Sequence, residues 1–322
     1  MFSIKKLVMG CVAIAISTSG MVSQAQADTF PKKDVTVICP WSAGGGTDTI
    51  IRGLSRSTEQ FLGKNITVIN KTGGGGAIGH SAGVNARADG YTVAMVTFEL
   101  LSLPPQGLVP FTYKDFDLLM RVNMDAAALT VPADAPYDTV AELIAYAKAH
   151  PKEIKVGHAG PGSVWHLAGS IFAEKAGIEL SYVPFDGGAP AVAALVGNHI
   201  HAVSVSPAEV KGQVEAGTLK ILAVMSDERN ASFPEVPTMQ EEGVDVVFGT
   251  WRGLAVPNST PAEAKKVLHD AFKKGMETDE FQTFARNASL GLAYLNAEDW
   301  SKDLAAAAGN VSNTMVALGL AK

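Results

Sequence analysis

Cysteine is nearly absent from this chain. Of 322 residues only Cys11 and Cys39 carry a thiol, and Cys11 lies in a stretch with the marks of a removable leader. With Cys39 alone left, an intramolecular disulfide is excluded, and the folded protein must rest on its core. Charge is also scarce: 18% of residues are charged and the formal net charge is −6. An acidic balance argues against nucleic acid and anionic lipid as partners. It also means that any bound anion must be held by local dipoles and hydrogen bonds, not by the overall field. Long apolar runs are missing as well. The run from Leu7 to Ile16 is roughly half of the ~20 residues that a spanning helix needs, so no segment is expected to stay in a membrane.

What is present begins with that leader. Lys5 and Lys6 form a positive start, the apolar run follows, and Ala25-Gln26-Ala27 has the small-x-small form that precedes cleavage. Residues 1–27 therefore read as a secretory signal peptide, with a mature chain from Asp28 in the periplasm. Cys11 is not a lipidation site on this reading, because the apolar run continues through Val12–Ile16. A mature chain of about 295 residues is long enough to bury a sizeable core and suggests two lobes.

Two glycine clusters carry the most information. Gly44-Gly45-Gly46 follows the β-branched run Val35-Thr36-Val37-Ile38, and Gly73-Gly74-Gly75-Gly76 follows Ile66-Thr67-Val68-Ile69. Each precedes a stretch that can be helical. Strand, glycine loop and helix together aim free backbone N–H groups and a helix N-terminus at one spot, which favours an anion. Two such units in succession predict neighbouring loops at the carboxyl ends of parallel strands, and a binding site for a small acid.

The wider pattern alternates β-rich and helical stretches, an α/β arrangement with parallel sheets. Strands are expected at 35–39, 66–70, 92–97, 127–131, 154–157, 181–184, 201–204, 221–225 and 253–256. Thr139-Val-Ala-Glu142, Thr238-Met-Gln-Glu241 and Thr260-Pro-Ala-Glu263 match capping boxes, while Gly177, Gly197 and Gly217 read as helix stops. Ala128-Leu-Thr-Val-Pro132 and Gly253-Leu-Ala-Val-Pro257 look alike and suggest two crossings between lobes. One lobe would comprise 28–126 plus 253–322, and the other 127–252, with the ligand in the cleft.

Within the first loop, Ser42, Thr47 and the backbone N–H groups are candidates to hold a carboxylate, and Trp41 to wall the cleft. In the second lobe, Gly160-Pro161-Gly162-Ser163 runs from a strand into a helix that Ser163 can cap. Phe185-Asp186-Gly187-Gly188 is a further strand–glycine–helix joint. Arg252, beside Trp251 at the second crossing, can pair with a carboxylate or with a nearby acid. Other chemistries compete. Gly74-x-Gly76-x-x-Gly79 with Glu99 about twenty residues on matches a dinucleotide fingerprint, a reading that secretion disfavours. Ser163 with His166 suggests a secreted hydrolase, but no G-x-S-x-G surrounds the serine. His199 and His201 share a strand face without an evident third metal ligand, so they read as solvated histidines.

Taken together, Pro40-Trp-Ser-Ala-Gly-Gly-Gly-Thr-Asp48, Asn70-Lys-Thr-Gly-Gly-Gly-Gly-Ala-Ile-Gly79, Ala88-Asp-Gly-Tyr-Thr92, Val183-Pro-Phe-Asp-Gly-Gly-Ala-Pro190, Pro234-Glu-Val-Pro-Thr238 and Trp251-Arg-Gly-Leu-Ala-Val-Pro257 resemble one family across the mature chain. It is the family of periplasmic solute receptors of tripartite tricarboxylate transporters, the Bug receptors. The resemblance implies a two-lobed flytrap fold, each lobe a mostly parallel sheet flanked by helices. It implies no enzyme activity and no cofactor, a small carboxylate ligand, and delivery to a permease of a large and a small membrane subunit; a monomer fits such a shuttling receptor. Carried over, the first-lobe contacts are Trp41, Ala43, Gly44, Gly45, Thr47 and Asp48, with Thr72, Gly74, Gly75 and Ala77. The second lobe adds Gly160, Gly162, Ser163 and Asp186. Gly74 stands where alanine is usual, and His201 with Ser204-Val-Ser206 replaces a segment that often carries an acid and an aromatic.

Overall fold

A computed structural model describes residues 30–322, so the expected leader and its expected cleavage site lie outside the described residues. The elements run β1 (Val35–Cys39), α1 (Gly46–Leu62), β2 (Ile66–Asn70), α2 (Ala77–Val84), β3 (Thr92–Thr97), the short α3 (Glu99–Ser102), β4 (Phe116–Ala126) and β5 (Ala128–Pro132). Then come α4 (Val140–Ala149), β6 (Lys155–His158), α5 (Val164–Ala176), β7 (Ser181–Pro184), α6 (Gly188–Val196), β8 (Ala202–Val205), α7 (Pro207–Glu215) and β9 (Leu219–Val224). The chain closes with β10 (Gly249–Pro257), α8 (Ala262–Glu277), α9 (Asp279–Asn287), β11 (Leu292–Asn296) and α10 (Ala297–Ala317).

Two sheets organise these elements, one in the order β11-β4-β10-β3-β1-β2 and one in the order β7-β6-β8-β5-β9. In the first, β1, β2, β3 and β4 point one way and β10 and β11 the other. In the second, only β5 opposes the rest. Both sheets are therefore mixed and not mostly parallel as expected: β10/β3, β10/β4 and β11/β4 in the first and β5/β8 and β5/β9 in the second are antiparallel pairs, and the reversed strands include one that has just crossed from the other sheet. β4 passes through Ala127 straight into β5. The return passes beside it: Ala127 N–H donates to Phe248 O (2.9 Å), and Met225 N–H donates to Ala127 O (2.7 Å). β10 opens at Gly249, paired with Ala126, so Trp251 and Arg252 belong to the six-stranded sheet and not to the second lobe in which the sequence placed them.

In both sheets the order reverses beside the first strand of a βαβ unit, between β1 and β3 and between β6 and β8. Ligand crevices form outside the carboxyl ends of strands at such reversals. The loops after β1 and β6 are the tryptophan–glycine loop and the Gly160–Ser163 turn, and the two lobes bring them together.

The local signals hold unevenly. Thr139 and Glu142 close a reciprocal capping box at α4, and Gly177 ends α5 in the left-handed region. Thr238 and Glu241 exchange the same bonds, but they close a turn with no helix behind it. At Thr260 the hydroxyl donates back to Pro257 O, and α8 starts with Pro261 as its cap. Gly197 has φ −80°, and Asn198 takes the left-handed turn instead.

Apolar side chains of β1, β3, α1 and α8, among them Val35, Val37, Ile50, Leu54, Leu268 and Phe272, pack without solvent exposure. Cys39 sits in this core, and burial, the largest cause, pushes its thiol up to about 12. Because the thiolate is the reactive form, Cys39 should not react with an aromatic disulfide reagent at pH 8 in the native protein. One equivalent should react once urea unfolds the chain. Stoichiometric labelling of the folded protein would refute this account of the core.

Candidate functional site

The first glycine loop is built from beneath. Asp48, in the first turn of α1 and 4% exposed, accepts from Gly44 N–H at 3.0 Å, from Arg52 Nε at 2.9 Å and from Asn70 Nδ2 at 2.7 Å. Asn70 Nδ2 also donates to Trp41 O at 2.8 Å. Since Asn70 opens the second loop, one carboxylate fixes both glycine loops to each other. Burial works to raise the Asp48 pKa, but the bonds from Arg52, Gly44 and Asn70 outweigh it and hold the carboxyl below the usual range. Asp48 therefore positions the loops and spends its oxygens on them.

The second loop is a 3-10 turn with Gly73, Gly74, Gly75 and Gly76 all at positive φ, between 60° and 115°. Four successive left-handed residues require glycine, because a Cβ is strained at each. His80 locks the turn from α2: Nδ1 bonds Gly76 O at 2.8 Å, and Nε2 accepts Thr97 N–H at 3.2 Å.

Across the cleft, Ser163 caps α5 by accepting from His166 N–H at 3.3 Å. His166 Nδ1 accepts Gly162 N–H at 3.1 Å, and its ring stacks on His158 at 4.3 Å between centroids. The serine and histidine that suggested a hydrolase are thus both spent on shaping the turn. The lobes meet closely here, and a side chain added at Gly160 would come within 3.1 Å of the Gly75 backbone. Likewise one at Gly187 would come within 2.5 Å of Ser42 Oγ, a buried hydroxyl with no partner among the described residues.

Two of the cavities along the seam border the glycine loops. The inner one, ≈ 20 Å³, is walled by Trp41, Gly45, Thr47 and Arg252 from the first lobe and by Trp165 and Gly188 from the second, with Glu99 and Glu209 facing in. The outer one, ≈ 800 Å³, is lined by Gly74, Gly75, Gly160, Phe185 and the exposed Asp186, with Gln106 beside them. The sequence-derived residues therefore divide. Trp41, Gly45, Thr47 and Arg252 reach the inner cavity, and Gly74, Gly75, Gly160 and Asp186 the outer one. Ala43, Gly44, Thr72, Ala77, Gly162 and Ser163 build the loops without lining either.

Arg252 is 2% exposed and lies behind the first loop. Its Nη1 pairs with Asp125 Oδ2 at 2.5 Å and its Nε donates to Thr47 Oγ1 at 2.8 Å. Of the two roles that the sequence left open, the ion pair with a nearby acid is the one formed.

The sequence reading missed the role of two acids. Glu99 Oε1, from α3 of the first lobe, accepts Val164 N–H at the start of α5 (3.0 Å). Glu209 Oε1, from α7 of the second lobe, accepts Gly46 N–H at the start of α1 (3.2 Å). Each lobe thus lends a carboxylate to a helix N-terminus of the other. Burial, the largest cause, raises both carboxyls above the usual range. Glu99 also accepts from Thr97 Oγ1, so it lies buried within the cleft instead of standing at a strand end to receive a ribose. Ser206-Pro-Ala-Glu209 is a capping box with proline in the first turn, a signal visible in the sequence. The box marks a helix start, and says nothing of the bond that Glu209 sends across the cleft.

Among known proteins, the model of the tripartite tricarboxylate transporter family receptor matches residues 50–318. The UPF0065 protein in the gbd 5' region of Cupriavidus necator is 33% identical over 309 residues, which cover 96% of this chain and 94% of that protein. A TctC solute-binding protein from Polaromonas, solved with no ligand, is 39% identical, with TM-score 0.66 over 89% of this chain and 99% of that one. An R. palustris protein solved with adipate is 25% identical, with TM-score 0.86 over 91% of this chain and 99% of that one. The chain belongs to the receptor family of the tripartite tricarboxylate transporters.

Proposed function

We propose that the protein is a periplasmic receptor, not an enzyme, that captures a small organic acid between its lobes and delivers it as a monomer to a tripartite tricarboxylate-type permease. One observation carries the reading. The N-termini of α1 and α5 converge on one cleft from opposite lobes, and each already holds a carboxylate, of Glu209 and of Glu99. The N–H groups there are placed to donate to carboxylate oxygens, and the helix dipoles favour the charge. Neutral donors suffice for this, in keeping with the acidic composition. The R. palustris relative solved with adipate supports an organic acid as the ligand type. Trp41, Ala43, Gly44, Gly45, Thr47 and Asp48 with Thr72, Gly74, Gly75 and Ala77 form the first-lobe side of this proposed site. Gly160, Gly162, Ser163 and Asp186 form the other side, and Arg252 stiffens the first loop. The unit formed by 30–126 and 249–322 would move against 127–248 about the paired strands at Ala127 and Phe248.

The test is a thermal-shift screen of the purified protein against mono-, di- and tricarboxylates, acidic amino acids and nicotinamide cofactors. A ligand at ~100 times its dissociation constant adds ~2.7 kcal/mol, visible as a raised melting temperature. A shift with one class of acid is expected. A shift with a cofactor and with no acid would overturn the receptor reading.

A further inference from the structure

The inner cavity has the wrong charge for a second carboxylate. Glu99 and Glu209 line it, and its single guanidinium, Arg252, is paired with Asp125 outside the lining and bonded to Thr47. Neither Glu99 nor Glu209 forms a salt bridge among the described residues. Their hydrogen bonds come from backbone N–H groups and hydroxyls: Val164 and Thr97 for Glu99, Gly46 and Ser206 for Glu209. An ionised carboxylate has about four acceptor sites, so both retain capacity for a further donor. Burial opposes the charged form of each, the nearby Arg252 guanidinium offsets only part of this, and a cation placed between them would relieve the rest. Size agrees with charge. The cavity, ≈ 20 Å³, holds one water-sized group, which suits an ammonium and not a planar carboxylate. Trp41 and Trp165 complete the wall, and aromatic faces attract cations.

We propose that this cavity is an ammonium subsite, with Glu99 and Glu209 as its anionic walls, and that the protein selects amino acids or other amino-carboxylates over simple acids. The inference rests on the receptor reading. The ligand's carboxylate lies toward the glycine loops and its amine points inward.

Matched acids that differ only in the amine test this: aspartate against succinate, glutamate against glutarate, and β-alanine against propionate, by calorimetric titration into the purified protein. In at least one pair the amino member should bind about tenfold or more tightly, because its ammonium, at contact distance from a partly desolvated carboxylate, makes an ion pair that the amine-free member lacks. Glu209→Gln keeps the shape and most hydrogen bonds while removing one charge, and should bring that preference to about threefold or less. Equal or tighter binding of the amine-free members overturns the ammonium subsite and leaves the receptor reading standing. An amine preference unchanged in both Glu209→Gln and Glu99→Gln also overturns the role of these walls. Silence from every member of every pair overturns the ammonium subsite, and the wider acid screen then decides the receptor reading.

Discussion

Arg252→Met should lower the unfolding free energy by about 3–5 kcal/mol, the loss found when one member of a buried ion pair is removed. Methionine fills much of the vacated space, so the effect is electrostatic more than a matter of packing. Asp125, itself 6% exposed, would be left facing the region that already contains Glu99 and Glu209. Asp125 also accepts from Gly291 N–H at 2.8 Å and Asn123 Nδ2 at 2.9 Å, which tie β11 and β4 to the site. Arg252→Lys should recover little, because an ammonium cannot serve Asp125 and Thr47 with one planar fork. Urea unfolding of wild type, Arg252→Met, and Arg252→Met with Asp125→Asn measures the terms. The double variant should regain a large part of the loss, since its remaining partner is neutral. A single variant within about 0.5 kcal/mol of wild type, the usual range for surface changes, would show that the pair carries no net stability.

The legible parts of this fold are those in which one residue type answers to one local cause. β1, β2, β3 and β7 occupy the expected residues, because each is a short apolar strand bounded by turn residues. β4 and β11 went unread. Phe116–Ala126 interleaves Asp117, Arg121, Asn123 and Asp125 with its apolar residues, and its pairing with β10 shifts register twice. Its polar residues are tolerated because they meet partners from afar: Arg121 bonds Ala293 O and Asp303, and Asp125 meets Arg252. β11 is a partly exposed edge strand with no strong pattern of its own. The site divides in the same way. The glycine loops announce themselves because positive φ restricts the residue type. Asp48 was found as part of the loop motif, yet its bridge to Asn70 needs β1 and β2 side by side. Glu99 and Glu209 lie 110 positions apart, and only closure of two lobes sets both against one cavity. No local pattern encodes a contact of that kind.

Acid sensitivity enters through three histidines, each bonded within its own lobe. His80, His158 and His166 are buried, and desolvation, the largest cause in each, lowers them to about 4, about 3 and about 4. Geometry points the same way. Nε2 of His80 accepts Thr97 N–H and Nδ1 of His166 accepts Gly162 N–H, so a proton on either nitrogen would set donor against donor. A histidine neutral in the native state but titrating near 6.5 when unfolded binds its proton preferentially in the unfolded chain. Stability is then fully present above about pH 6.5 and falls as the pH drops toward the folded-state values. Between pH 8 and pH 5 each ring removes about 2 kcal/mol, about 6 kcal/mol together. Glu99 and Glu209 act with the opposite sign: their raised carboxyls take up protons in the native state first and return part of the loss. Urea midpoints should therefore fall steeply from pH 8 to pH 5, and more steeply still in Glu209→Gln, which lacks one compensating carboxyl. Imidazole resonances of these three rings should remain those of the neutral form at pH 5. A flat stability profile with all three rings titrating near 6.5 would show that they do not brace the glycine loops from within. If they do, protonation loosens Gly76 and Gly162 directly, and ligand affinity should decline along with stability.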